Sequence, residues 1–146
     1  MSKRWLHKRY WKNMAKILID TGVFVALFDN KDKYHKKSVQ FIKDNKKPLI
    51  TSLACVTETL FLLKNPMNRK GFLNWLHLAR IEIAEFSHKD MPALAELMSQ
   101  YSNVPMDFAD ACLVHLAQRE TLSHIATIDS DFRIYRIHGY PFRVMI

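Results

Sequence analysis

The chain has 146 residues, 49% of them apolar, and a formal net charge of +8; this fits one domain able to bury a core and excludes a disordered chain. No apolar stretch reaches the length of a spanning helix, and the basic N-terminus lacks the apolar run of a secretory signal, so a cytoplasmic protein with no membrane contact is expected. Glycine occurs three times, at Gly22, Gly71 and Gly139, which leaves no room for a glycine-rich dinucleotide or phosphate loop.

Residues 1–13 hold five of the eight net positive charges, as Lys3, Arg4, Lys8, Arg9 and Lys12, with no acid among them. Trp5, Tyr10 and Trp11 are interleaved, so this arm could neutralise phosphates and stack on bases. A solvated tail, or a chain that starts at Met14, is the alternative; the folded domain is expected over 14–146. Ile17-Leu18-Ile19 reads as a buried strand closing at Asp20-Thr21-Gly22. Val23 to Phe28 reads as a short apolar helix and Tyr34 to Asp44 as a polar one. Pro48 to Thr51 is a second strand, followed by Ser52 as N-cap of a helix to about Lys64. Phe72 to Leu78 is expected helical, Ile81 to Phe86 a strand, and Met91 to Tyr101 a helix with Pro92 near its start. Asp107 to Gln118 is a helix, His124 to Ile128 a strand, and strand-like pieces follow around Ile134 and Val144. Strands alternating with helices imply an α/β fold with a central, mostly parallel sheet. Cys55 and Cys112 fall in apolar helical segments without a CxxC partner and read as reduced core residues.

Four carboxylates stand where a solvated surface would not put them. Asp20 ends the most apolar strand and Asp129 follows another, at the strand ends where open parallel sheets gather ligands. Glu58 has Ala54, Cys55, Phe61 and Leu62 as its helical neighbours, which puts it in the interior or in a cleft. Asp110 has Leu113 and Val114 at i+3 and i+4. Each acid also has a structural explanation: Asp20 as a helix cap, Asp129 as an Asx-turn, Asp107 as an N-cap with Asp110 at N3. If the four converge, two of them about 4 Å apart repel by roughly 4 kcal/mol at an effective dielectric near 20, so the cluster holds protons or a cation. All-oxygen ligands suit Mg²⁺ or Mn²⁺, and such an ion serves phosphodiester hydrolysis.

Four fragments in this order resemble the motifs of the PIN domain family over nearly the whole chain from Lys16: Ile17-Leu-Ile-Asp20-Thr21-Gly22-Val23, Thr57-Glu58, Pro105-Met-Asp107-Phe-Ala-Asp110-Ala, and Ala126-Thr127-Ile-Asp129-Ser-Asp131-Phe132. Gly22 departs from the Ser or Asn frequent in the family. The resemblance implies a three-layer α/β/α fold and Mg²⁺- or Mn²⁺-dependent endoribonuclease activity. Asp20, Glu58, Asp110 and Asp129 would be the catalytic and metal-binding residues, with Asp107, Asp131, Thr21 and Thr127 in support; between Asp129 and Asp131 as fourth ligand, Asp129 is preferred. Lys3, Arg4, Lys8, Arg9, Trp11 and Lys12 would be the RNA contacts of the arm. Size and motif style are most like the VapC-type toxins, which implies a homodimer and a separately encoded antitoxin that inserts a peptide into the acidic groove. The alternatives are a freestanding PIN nuclease of RNA processing and a non-catalytic RNA-binding module; a pure phosphate binder gains nothing from four repelling carboxylates.

Other constellations are weaker. The seven histidines lack zinc spacing, no nucleophile elbow is present, and a phosphate-transferring aspartate enzyme would want a second Asp where Gly22 stands. His115 reads as packed or surface rather than catalytic. Lys64, Arg69 and Lys70 read as a solvated turn, with an RNA grip as the alternative.

Overall fold

The β-branched run Ile17–Ile19 forms β1 and is wholly buried, as the central strand of a covered parallel sheet must be. The structure is a computed structural model and describes residues 16–146; the basic arm and its six candidate RNA contacts lie outside the described residues. After β1 come α1 (Thr21–Phe28), α2 (His35–Asp44), β2 (Leu49–Ser52), α3 (Leu53–Leu62), α4 (Pro66–Leu78), β3 (Glu82–Ala84), α5 (Met91–Gln100), α6 (Phe108–Glu120) and β4 (His124–Ala126). Three two-residue strands close the chain: β5 (Arg136–Ile137), β6 (Tyr140–Pro141) and β7 (Arg143–Val144).

Five strands form one sheet in the order β3-β2-β1-β4-β7, every pair parallel. The chain steps outward from β1 to β2 and β3, then returns to β4 on the other side of β1. The strand order therefore reverses between β1 and β4, and the crevice at their carboxyl ends is the switch point where such sheets bind ligands. Leu18 pairs with Ile125 and Ile19 with Ala126, so Asp20 and Asp129 emerge side by side.

Helices flank the sheet. α1 packs on α2, α3 and α4, α5 packs on α6, and α3 also meets α6. Phe24 and Phe28 of α1 interleave with Phe72 and Trp75 of α4 at centroid separations of 5.1 to 6.2 Å. A second aromatic group, Tyr101, Phe132, Tyr135 and Phe142, packs together in the core. Cys55 and Cys112 are free and buried, their thiols pushed up to about 12 and about 11, first of all by burial.

Two expected elements differ. α4 starts at Pro66 rather than near Phe72, because Asn65 caps it through the Met67 amide and Pro66 fills its first turn. Ile134 is not in a strand: Ser130–Arg133 form a 3-10 turn and Ile134 caps it, so the antiparallel β5–β6 ribbon begins two residues later. Among the described residues no helix is long and apolar enough to cross a membrane.

Candidate metal centre

Three of the acids at the switch point, Asp20, Asp107 and Asp129, are caps. Asp20 is the N-cap of α1, its Oδ1 accepting from the Thr21 amide at 2.8 Å. Its Oδ2 accepts from the Thr127 hydroxyl, also at 2.8 Å. The same hydroxyl accepts from the Asp129 amide at 3.0 Å, which ties the ends of β1 and β4 together through one threonine. Asp129 Oδ1 accepts from the Asp131 amide at 2.9 Å and opens the 3-10 turn. Asp107 caps α6 by accepting from the Asp110 amide at 2.8 Å. Asp110, one turn in, accepts at Oδ2 from the buried Tyr135 hydroxyl at 2.9 Å.

The caps at Asp20 and Asp129 and the Tyr135 bond to Asp110 turn three carboxylates toward one point. One oxygen each from Asp20, Asp110 and Asp129 lie within 4.8 Å of one another, and Asp20 and Asp110 are buried. Burial raises the pKa of Asp20 to about 7, against the opposing pull of its bonds from Thr127 and Thr21, with Asp129 and Glu58 adding to the rise. Asp110 is raised to about 8 by burial and by Asp107, opposed by the Tyr135 hydroxyl, with Asp20 and Asp129 adding further. Desolvation outweighs three directed hydrogen bonds, so the cluster is short of positive charge. No Lys or Arg forms an ion pair with the triad among the described residues.

The donor set fits a hard divalent cation. Three carboxylate oxygens within 4.8 Å of one another, with no nitrogen or sulfur donor in the group, are the kind of all-oxygen set that Mg²⁺ or Mn²⁺ takes. The Thr21 hydroxyl is buried beside the cluster, near enough to Glu58 to lower its pKa.

Glu58 is not part of the triad. It is half-buried on α3, with its pKa raised by burial and then by Asp107, opposed by the Thr21 hydroxyl and raised further by Asp129. It lines a groove of about 730 Å³ between α3 and the start of α6. Apart from Glu58, Asp107 and Thr57 its lining is apolar, with Leu53 63% exposed and Phe61 71% exposed. Asp131 stands outside the triad too, its pKa raised by burial and by Asp129.

Three further residues gain roles here. Tyr135 was not signalled by the sequence, since it lies 25 residues from Asp110 with no periodicity linking them. His115 points away from the triad and bonds Asp90 at 2.9 Å, and Arg69 donates to the Leu63 carbonyl at 2.6 Å, closing the end of α3. Both are packing roles.

A family model described as PIN domain matches residues 17–137. The chain is 30% identical over 124 residues to Ribonuclease VapC1 of Aquifex aeolicus, covering 82% of this chain and 85% of that protein. Among solved structures, VapC20 of Mycobacterium tuberculosis, described as a Sarcin-Ricin loop cleaving toxin, superposes with a TM-score of 0.72 at 15% identity, over 86% of this chain and 98% of that one. A toxin-antitoxin complex from Klebsiella pneumoniae gives a TM-score of 0.62 at 20% identity, over 89% and 96% of the two chains. Those two likenesses establish a shared fold.

Proposed function

The chain belongs to the PIN domain family, and from that premise we propose that it is a metal-dependent endoribonuclease, the toxin of a toxin–antitoxin pair. The observation that carries the reading is the convergence of Asp20, Asp110 and Asp129 at the β1/β4 switch point, two of them buried with raised pKa values. Their relative Ribonuclease VapC1 is a nuclease by name, and the donor set suits Mg²⁺ or Mn²⁺.

The three aspartates would hold the ion, and when bound it would supply charge for activating water and for stabilising the leaving oxygen of a phosphodiester. The chain's own residues do the rest. The Thr21 amide and Thr127 hydroxyl fix both oxygens of Asp20, and Tyr135 fixes one oxygen of Asp110, leaving the other free for ligation. Such orienting bonds commonly govern metal affinity as strongly as the ligands do. Glu58, at the groove edge with a raised pKa, is assigned to accept the proton of the attacking water, since a base poised nearer neutral pH transfers protons best. Asp129 is assigned as ligand over Asp131 because it is the one within the triad.

The apolar groove beside Glu58 and Asp107 supports a protein partner, because its exposed Leu53, Phe61 and Phe108 are the kind of side chains an interface covers. An antitoxin peptide is assigned to it, and a homodimer to the assembly.

The test is cleavage of single-stranded RNA. The purified protein should cut with Mg²⁺ or Mn²⁺, stop in EDTA, and leave 5′-phosphate and 3′-hydroxyl ends. A 2′,3′-cyclic phosphate, or full activity in chelator, would overturn the mechanism.

A further inference from the structure

The triad is flanked by two unlike surfaces. On the Glu58 side lies the apolar groove. On the Asp129 side lies a smaller cleft of about 180 Å³, lined by Tyr34, Lys37, Thr127, Ile128, Asp129, Ser130, Arg133, Val144 and Ile146. It shares Thr127 and Asp129 with the candidate metal centre, so whatever occupies it abuts the aspartate triad.

The chemistry of this cleft is cationic and aromatic. Lys37 and Arg133 are exposed, and neither forms an ion pair among the described residues. Tyr34 lines the cleft half-buried, and Lys33 Nζ stands 4.9 Å over its ring, a third cation. Lys36 and Lys37 sit in the first turn of α2, where no acid offsets them and where the helix dipole disfavours cations. Free cations on two sides of a polar cleft, beside an aromatic ring, suit a nucleotide: the phosphate meets the charges and the base meets the ring.

We propose that the cleft between Tyr34, Lys37 and Arg133 is a nucleotide subsite of the RNA strand, holding the phosphate next to the scissile one on Lys37 and Arg133 and the adjoining base on Tyr34. This rests on the ribonuclease reading and adds a direction to it: the strand leaves the metal centre on the Asp129 side, while the groove on the Glu58 side is left to protein. Asp129, the acid of the cleft, faces the ion rather than the strand.

The experiment measures binding of a short mixed-sequence oligoribonucleotide in EDTA, and separately kcat and KM with Mg²⁺ or Mn²⁺, for the full chain. Lys37→Ala with Arg133→Ala should lower affinity and reduce the slope of log affinity against log salt by about 0.7, the value for one phosphate neutralised on a single strand. KM should rise and kcat at saturating RNA should hold. Tyr34→Ala should weaken binding by roughly five- to 150-fold with the slope unchanged, as loss of one stacked base does, and Tyr34→Phe should restore it. Lys43→Ala, exposed on α2 away from the cleft, is the control and should change neither affinity nor slope. Unchanged binding in the Lys37/Arg133 variant, or an equal loss in Lys43→Ala, overturns the subsite. RNA bound by the native chain but never cut under any ion would instead overturn the nuclease reading, and the binding comparison would still decide the subsite.

Discussion

Asp20 accepts a hydrogen bond at each carboxylate oxygen, and its pKa still rises to about 7 because its desolvation is larger. Two good hydrogen bonds ordinarily hold a carboxylate below its usual range, so the reversal measures how far the site is built for a charge that the protein itself does not supply. Asp20→Asn and Asp110→Asn should therefore each abolish cleavage, while thermal unfolding in EDTA at pH 8 shows an unchanged or raised Tm. A fall of several degrees in both variants would mean that the ionised carboxylates stabilise the metal-free fold, contrary to this account. Tyr135 makes a sharper test, because it touches neither ion nor substrate in this scheme. Its buried hydroxyl donates to Asp110 Oδ2 and so favours the ionised form. Tyr135→Phe keeps the ring that packs on Phe132 and Tyr101, removes that donor, and should weaken ion binding by about 10-fold or more, the usual cost of losing a partner that orients a ligand. Calorimetric titration with Mn²⁺ gives the answer; unaltered affinity would make Tyr135 a packing residue only.

At the scale of elements, two of the three triad residues, Asp20 and Asp129, are also caps, because helical turns start where parallel strands end. On α6 the roles separate: Asp107 caps the helix through the Asp110 amide but lies outside the triad, and Asp110 belongs to the triad without capping. Asp107→Asn should keep both stability and cleavage, since Asn caps about as well, whereas Asp107→Ala should cost about 1 kcal/mol of stability. Urea unfolding of the two variants checks this, and loss of cleavage in Asp107→Asn would move Asp107 into the metal site. The same overlap explains what was readable from sequence. Asp20 stood out because three buried apolar residues precede it, and Ser52 was visible as the cap it is. The early start of α4 was missed because Met67 and Lys70 are exposed on it and carry no apolar stripe, although Asn65-Pro66 was a usable start signal. The tail around Ile134 was misread because its pairing partner, β6, lies across a turn with positive-φ His138 and Gly139. Glu58 was legible as an acid in an apolar helix, but its separation from the triad depends on how α3 meets α6, which no local pattern encodes. Gly22, a departure from the family pattern, is explained by contact: a Cβ there would lie 2.9 Å from Ile128 Cγ1, so the residue before Asp129 occupies the space a side chain would need.

For the molecule as a whole, the switch between β1 and β4 gathers negative charge into a buried point of a chain whose formal charge is +8. The folded protein and the ion are therefore linked through protons. Asp20 and Asp110 titrate near 3.8 when unfolded but at about 7 and about 8 when folded, so between those limits the folded state holds protons that the unfolded chain has released. Metal-free stability should then fall as pH rises from about 4 to about 8 and level off above, because the unfolded chain gives up these protons first. Glu58 and Asp131, raised as well, act in the same sense. His124, whose pKa is lowered by burial and by Arg143, acts in the opposite sense below neutrality but is one group against several. Asp90, lowered by its bond from the Ser87 amide and by His115, contributes stability that disappears only as pH falls into the acid range, outside this window. An ion that binds only the folded, deprotonated triad must displace the retained protons at low pH and meets none at high pH. The Tm increase on adding Mg²⁺ or Mn²⁺ should accordingly be small at pH 5 and grow steadily to pH 8, while the Tm in EDTA declines over the same range. Scanning calorimetry across that series gives both curves at once. A metal-free Tm that climbs from pH 5 to pH 8, or an ion-induced increase that does not change with pH, would show that the triad is already ionised without its cation and would remove the electrostatic basis for the metal centre.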